Sequence, residues 1–287
     1  MKSIKKLRRK LQKLLFHEQW SLLVCDAEGN ILKHIAPPED RIWADPFPIE
    51  YDGRYLIFIE QQCAGSNGTL GYVELFDDLS VSDFKPILEK PYHLSWPNVF
   101  NHGGVWYLIP ESNEHGKVDL YRAAEFPDKW EFDRTLLDNV SAVDTMLLEH
   151  DGLFWLFTSI SGLPSGGQVT GFNNSLSLFY AHSFPTTSWT AHAGNPVVHD
   201  ASNARMAGRF QWADDGSLLR PAQNCLIEYG RSVSVQRILE LSNDVYREAS
   251  VYAVLPEKYL DAVCTHTLNR CGKYVIRDIK TRKFRLW

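Results

Sequence analysis

Five times along the chain a glycine turn opens onto an aromatic-rich, strand-prone stretch, and this repetition limits the possible folds more than any other feature. The clearest copies are Asp52-Gly53-Arg54-Tyr55-Leu56-Ile57-Phe58, Gly103-Gly104-Val105-Trp106-Tyr107-Leu108-Ile109 and Asp151-Gly152-Leu153-Phe154-Trp155-Leu156-Phe157. Weaker ones follow at Asp215-Gly216-Ser217-Leu218-Leu219 and Cys271-Gly272-Lys273-Tyr274-Val275-Ile276. The glycines at 53, 104, 152, 216 and 272 are separated by 51, 48, 64 and 56 residues. That period is the length of a propeller blade, a four-stranded antiparallel unit that must stack on neighbours to bury both faces. Five copies predict an all-β, five-bladed β-propeller. The ring would take up nearly all of the 287 residues, so the expected organisation is a short helix over 1–16 and the propeller over 17–287. The stretch Trp20–Cys25 reads as a strand that closes the ring on the last blade and removes an open edge.

The first sixteen residues differ in kind from the rest. Lys2, Lys5, Lys6, Arg8, Arg9, Lys10 and Lys13 stand there without a single acid, leaving 23 basic residues against 35 acidic ones in the body, about −12. Ile4, Leu7, Leu11, Leu14 and Leu15 recur at helical spacing, so the segment is expected to be a basic amphipathic helix. Such a helix suits the surface of an anionic membrane; the same leucines would equally pack on the propeller or on a second subunit. The acidic body offers no basic groove, which argues against nucleic acid. No apolar stretch reaches the ~20 residues of a membrane span. The N-terminus lacks the apolar core of a signal peptide. Five cysteines (25, 63, 225, 264 and 271) show no CxxC spacing, which predicts free thiols and no zinc site. Together these predict a cytoplasmic protein, with attachment to the inner face of a membrane and packing of the helix on protein as the two expectations for the N-terminal segment.

Each blade should begin with a segment leading into its turn: Trp43-Ala44-Asp45-Pro46-Phe47, Ser95-Trp96-Pro97-Asn98-Val99-Phe100, Val143-Asp144, Arg205-Met206-Ala207-Gly208-Arg209-Phe210 and Thr265-His266-Thr267-Leu268. In each, a polar residue precedes apolar ones, which sets the polar group at the mouth of the central channel. Pro46 removes a donor and biases Asp45 toward extended geometry, aiming its carboxylate inward. Asp144 holds the matching place in the third repeat, and Glu111 ends the second strand of the second blade, as Glu60 does in the first. Carboxylates converging from several blades suit acid–base chemistry on a sugar, in which one is held ionised and another protonated. They would also serve to satisfy strand ends. Trp43 and Trp96 offer ring faces to a sugar, although core packing is the commoner use of an aromatic.

Arg205, Arg209 and Arg220, with Gln223 and Asn224, gather donors in the fourth blade that suit phosphate or carboxylate recognition. An arginine paired to Asp144 or Glu111 simply to hold the ring together is an equal reading. His266 fits a proton carrier, a hydroxyl ligand or a satisfied channel histidine. A Gly-rich loop between Ser161 and Asn174 fits a lid or a connector. No phosphate-binding loop, dinucleotide fingerprint, HExxH, GxSxG or metal-binding DxD is present, so no metal or cofactor is expected.

Taken in order, Trp43-Ala44-Asp45-Pro46-Phe47, Ser95-Trp96-Pro97-Asn98-Val99-Phe100, Tyr107-Leu108-Ile109-Pro110-Glu111-Ser112, Val143-Asp144, Ala204-Arg205 with Gly208-Arg209, and Arg220-Pro221-Ala222-Gln223-Asn224-Cys225 followed by Tyr229-Gly230-Arg231 form a specific set. It resembles the propeller domain at the N-terminus of plant glucosamine inositolphosphorylceramide transferases and its bacterial stand-alone homologues, over about residues 40–280. More distantly the layout is similar to the furanosidase-type propellers of glycoside hydrolases. The resemblance implies a carbohydrate-active protein in polysaccharide or glycolipid biosynthesis, with Asp45 as base or nucleophile, Asp144 as a modulating charge and Glu111 as general acid. Its substrates would be a sugar donor, for which a nucleotide sugar is a candidate, and a glycan or glycolipid acceptor. A glycosyltransferase-type activity is the leading expectation, ahead of a glycoside hydrolase and of a non-catalytic glycan-binding propeller.

Overall fold

The computed structural model describes residues 15–165 and 168–284. Five antiparallel sheets surround one axis. Blade one runs Arg41–Tyr51, Arg54–Cys63, Gly68–Leu75 and Lys85–Leu88, and the next three repeat this order. Blade five combines both ends of the chain: Leu268–Cys271 and Tyr274–Phe284 pair with Phe16–Cys25 and Ile31–Ile35. The closing register runs from Phe16 opposite Phe284 to Cys25 opposite Val275, so the ring has no open edge there. Phe16 thus begins a strand and does not end a helix. Residues 1–14, which carry the rest of the expected helix, lie outside the described residues.

The repeated glycines do what their sequence suggests. Asp52 and Gly53 have φ of 50° and 71°, and Asp151 and Gly152 have 50° and 74°. Two consecutive left-handed residues form the tight hairpin whose twist matches its strands. A second irregularity recurs inside the first three blades. The register of the innermost pair slips between Ala44 and Phe47, between Ser95 and Asn98, and between Val143 and Met146. At each slip one residue is left-handed: Asp45 (52°), Trp96 (54°) and Asp144 (53°). Each stands eight residues before its turn glycine, as Gly208 (140°) does before Gly216. A non-glycine residue pays about 1–2 kcal/mol for this conformation, and the bulge turns its side chain out of the alternating pleat and frees its N–H from the ladder.

Packing between blades fixes these bulges. Phe47 and Trp96, both fully buried, meet edge-to-face at 5.0 Å, a contact worth about 0.5–1.5 kcal/mol beyond burial. Blade four departs from expectation: residues 205–210 form no regular strand, and the innermost ladder is reduced to Gln211–Trp212. Gly208 lies so close to blade five that a Cβ there would come within 2.4 Å of the Leu268 carbonyl oxygen.

Candidate functional site

The N–H groups freed by the bulges are each met by a carboxylate from the preceding blade. Asp45 N–H donates to Asp278 Oδ2 at 3.1 Å, Trp96 N–H to Asp45 Oδ2 at 3.1 Å, and Asp144 N–H to Glu111 Oε2 at 3.3 Å. A chain of carboxylates therefore runs around the axis at one end of the ring, and each acid satisfies a donor that would otherwise be orphaned. Asp45 and Glu111 use one oxygen in this way; Asp45 Oδ1, fully enclosed, has no aligned hydrogen-bond partner.

His266 stands beside that free oxygen. Its Nε2 lies 3.2 Å from Asp45 Oδ1 and its Nδ1 lies 2.7 Å from Asp278 Oδ2. Both are close ionic contacts without the alignment of a linear hydrogen bond, since Nδ1 also has no aligned partner. Asp278 additionally accepts the N–H groups of His266 (2.9 Å) and Thr267 (3.1 Å). Burial alone would raise Asp278, but the His266 charge and these donors hold it below the usual carboxylate value. Burial opposes a charge on His266, and the two facing carboxylates outweigh it, so its affinity for a proton is raised. Burial pushes Asp45 up to about 7; His266 opposes the rise, while Asp278 and Asp144 add to it. Trp20 stacks on the imidazole at 4.2 Å, and Tyr229 meets it edge-on at 5.2 Å.

The second half of the site centres on Arg205. Its guanidinium grips Asp144 through Nε to Oδ2 and through Nη2 to Oδ1 at 3.1 Å. It lies 3.6 Å from Glu111 Oε2 and reaches Asn173 Oδ1 at 3.2 Å. The Gln223 amide adds a bond to Asp144 Oδ2 at 2.8 Å, so Asp144 is held as a fixed negative charge. Burial raises Glu111 well above the ordinary glutamate range, and the charge on Asp144 adds to this against the pull of Arg205. Above Arg205 opens a cleft of about 640 Å³ walled by Tyr229, Phe172, Asn173 and Ser161. The Gly-rich loop supplies three of those walls. It is tied into a hairpin by bonds such as Gly162 N–H to Thr170 O, 3.0 Å.

Other expected site residues lie elsewhere. Arg209 donates to the carbonyls of Pro48 (2.8 Å) and Val99 (2.7 Å), clamping blades one and two. Arg220 is wholly buried on Glu248, at 2.8 and 2.6 Å. Asn224 accepts the Leu226 N–H at 3.2 Å. Trp43 and Trp96 are core residues, their indole N–H groups bonded to Gln61 (3.0 Å) and to the Thr145 carbonyl (3.3 Å). The expected arginine clamp for a phosphate is thus fully engaged within the protein.

Asp278 and Trp20 are site residues that sequence reasoning missed, and Tyr229, read there only as part of a motif, joins them. Asp278 follows a strand pattern without any motif, but its distance from the Gly272 turn is short enough to have placed it opposite His266. Asp45, His266 and Asp278 present ligand atoms within 4.8 Å of one another. The two ring nitrogens face different carboxylates, and both Asp278 oxygens already accept N–H groups, so the geometry fits an imidazolium better than a metal ion. A larger cleft of about 790 Å³ lies on blade one beside Trp43, Gln61 and Phe84, away from the buried titratable groups that converge on the axis.

Residues 32–268 match the family model described as the N-terminal region of glucosamine inositolphosphorylceramide transferase 1. The chain belongs to this family. It is 35% identical over 218 residues to glucosamine inositolphosphorylceramide transferase 1 of Arabidopsis thaliana, covering 72% of this chain and 27% of that protein. The chain therefore spans little more than a quarter of the length of that relative. Among solved structures it is similar to a family 117 glycoside hydrolase of Zobellia galactanivorans, with a TM-score of 0.54, 13% identity and coverage of 84% and 85%. It is also similar to an alpha-L-arabinofuranosidase of Podospora anserina, with a TM-score of 0.54, 15% identity and coverage of 71% and 66%. At such identities these two establish the shared propeller fold.

Proposed function

We propose that the axial site performs acid–base chemistry on a glycosidic bond of a glycolipid or polysaccharide, transferring the sugar to an acceptor hydroxyl. The observation that carries this reading is Asp45 Oδ1, a carboxylate oxygen without an aligned partner, raised to about 7 and set against His266. A base works best with an affinity near the operating pH. Asp45 accepts the proton of the acceptor hydroxyl. Glu111, pushed upward by burial and by Asp144, delivers a proton to the departing oxygen. Asp144, pinned by Arg205 and Gln223, supplies the fixed charge that holds both neighbours up and favours an oxocarbenium-like sugar. With Arg205, Arg209 and Arg220 engaged internally, the site favours a hydroxyl leaving group over a nucleoside diphosphate. Water in place of the acceptor would make the same arrangement a hydrolase.

The name of the plant relatives supports a sugar-transferring role on a glycolipid. The test is turnover of labelled glycolipids and chromogenic glycosides by the Asp45→Asn and Glu111→Gln variants. Each should lose about 10²–10⁴-fold in kcat, with melting temperatures close to wild type, because each amide oxygen can still accept its backbone N–H. Full turnover by both would discard the acid–base assignment and leave a glycan-binding propeller.

A further inference from the structure

Two consecutive asparagines set the chemical character of the cleft above Arg205. Asn173 and Asn174 lie in the turn after Gly171, and both line the cleft together with Tyr229. The partner of each amide fixes its orientation. A guanidinium can only donate, so the atom 3.2 Å from Arg205 Nη1 is the Asn173 oxygen. A backbone N–H can only donate, so the atom 2.8 Å from the Gly171 nitrogen is the Asn174 oxygen. The nitrogens of both amides are left over, and neither is bonded to any described residue.

Tyr229 supplies the facing wall. Its ring lies over the Arg205 guanidinium at 4.7 Å and meets His266 edge-on, yet 36% of the residue stays open. Its hydroxyl is bonded to no described residue. Burial keeps the proton on that hydroxyl; Arg205 opposes this, and the charge on Asp144 adds to it. The lining is thus rich in neutral donors.

Charge is already matched beneath it. No carboxylate stands among the residues that line the cleft. The cation among them, Arg205, holds both oxygens of Asp144, and the Gln223 amide adds a further bond to the same carboxylate. An ammonium entering here would meet donors and a guanidinium. An anion would meet a guanidinium already neutralised, with Asp144 behind it. A charge left without a partner in such a place is costly. A hydroxyl accepts as well as donates, and it satisfies the amides without that penalty.

We propose that the cleft is a subsite for an uncharged sugar, with Asn173 and Asn174 donating to its hydroxyl oxygens and Tyr229 supporting its ring. An ammonium in place of the hydroxyl that faces the asparagines is rejected, which makes Asn174 a specificity-determining residue. That the axial carboxylates act on this sugar rests on the reading above; the selection does not.

The test is ligand-observed NMR titration of the full chain at mildly acidic pH, where amines are charged. The probes are methyl glucoside and methyl galactoside, their amino-deoxy forms at successive ring positions, and their uronides. Wild type should bind a neutral glycoside, and at least one of its amino-deoxy forms should bind roughly tenfold or more weakly. Asn174→Asp keeps an oxygen for the Gly171 N–H and places the other in the cleft. It should reverse the preference and bind that amino-deoxy form more tightly than the neutral one. Asn173→Ala, at an exposed residue, should weaken the neutral glycoside several-fold and bring no such reversal. Tighter binding of an amino-deoxy form or a uronide by wild type would overturn the proposal, as would no binding of either neutral glycoside. So would equal weakening of every probe by Asn174→Asp at an unchanged melting temperature, or wild-type binding by Asn173→Ala. Turnover is a separate reading: full activity of Asp45→Asn and Glu111→Gln would discard the acid–base assignment and leave this selection standing.

Discussion

Asp278 and His266 face each other at 2.7 Å inside blade five, and the same carboxylate accepts the backbone N–H of Asp45 on blade one. One side chain thereby joins the first and last blades and holds the imidazole against the candidate base. Asp278→Asn removes the negative charge facing a buried cation and disturbs the N–H bonds that the carboxylate accepts. We expect a loss of about 3 kcal/mol or more in denaturant unfolding.

The pH dependence of that pair has a definite sign. Asp278 is depressed below 3.8, so its stabilisation is present above that value and is lost as the pH falls through the depressed one. His266 is raised above 6.5, so its share is present below 6.5 and is lost as the pH rises through the raised value. Unfolding free energy measured against pH should therefore show a plateau between these limits, and Asp278→Asn should flatten both of its edges.

The rate should follow the carboxylates. Asp45 must be ionised to accept a proton, so kcat/KM rises as the pH passes through about 7. Glu111 must hold its proton, and burial raises it well above the ordinary glutamate range, so its deprotonation gives the profile a falling limb. Glu111→Gln should remove the falling limb of the profile. A profile in which activity peaks near pH 4 would contradict the assignment.

Much of this arrangement was legible in the sequence. The glycine period predicted the blades, and Asp45, Glu111, Asp144, Arg205 and His266 do converge on the axis. Legible too, though easily passed over, was the constant eight-residue step from Asp45, Trp96, Asp144 and Gly208 to the next turn glycine. That step marks the left-handed bulges. The direction of a side chain was harder to read. Trp96 shares the bulge position of Asp45 but turns its ring into the core, because Phe47 and the Thr145 carbonyl await it there. Arg209 and Arg220 sit in the donor-rich segment, yet buried carbonyls and Glu248 claim them first. Asp278 meets His266 across its own hairpin, whereas Trp20 reaches the site only because the two chain ends pair, a relationship with no local pattern.

Arg205 lies between two carboxyl groups, Asp144 and Glu111. Arg205→Met should cost about 3–5 kcal/mol by leaving the buried Asp144 carboxylate without its cationic partner. Adding Asp144→Asn should recover part of the loss, which thermal unfolding of the single and double variants will measure.

The most direct measurement is a crystal structure of the Asp45→Asn variant soaked with an oligosaccharide or a glycolipid headgroup. The account predicts a sugar in the cleft beside Tyr229 and Arg205, with a hydroxyl within hydrogen-bond distance of residue 45 and the glycosidic oxygen facing Glu111. A sugar bound instead in the blade-one cleft beside Trp43, with the axis unchanged, would contradict it.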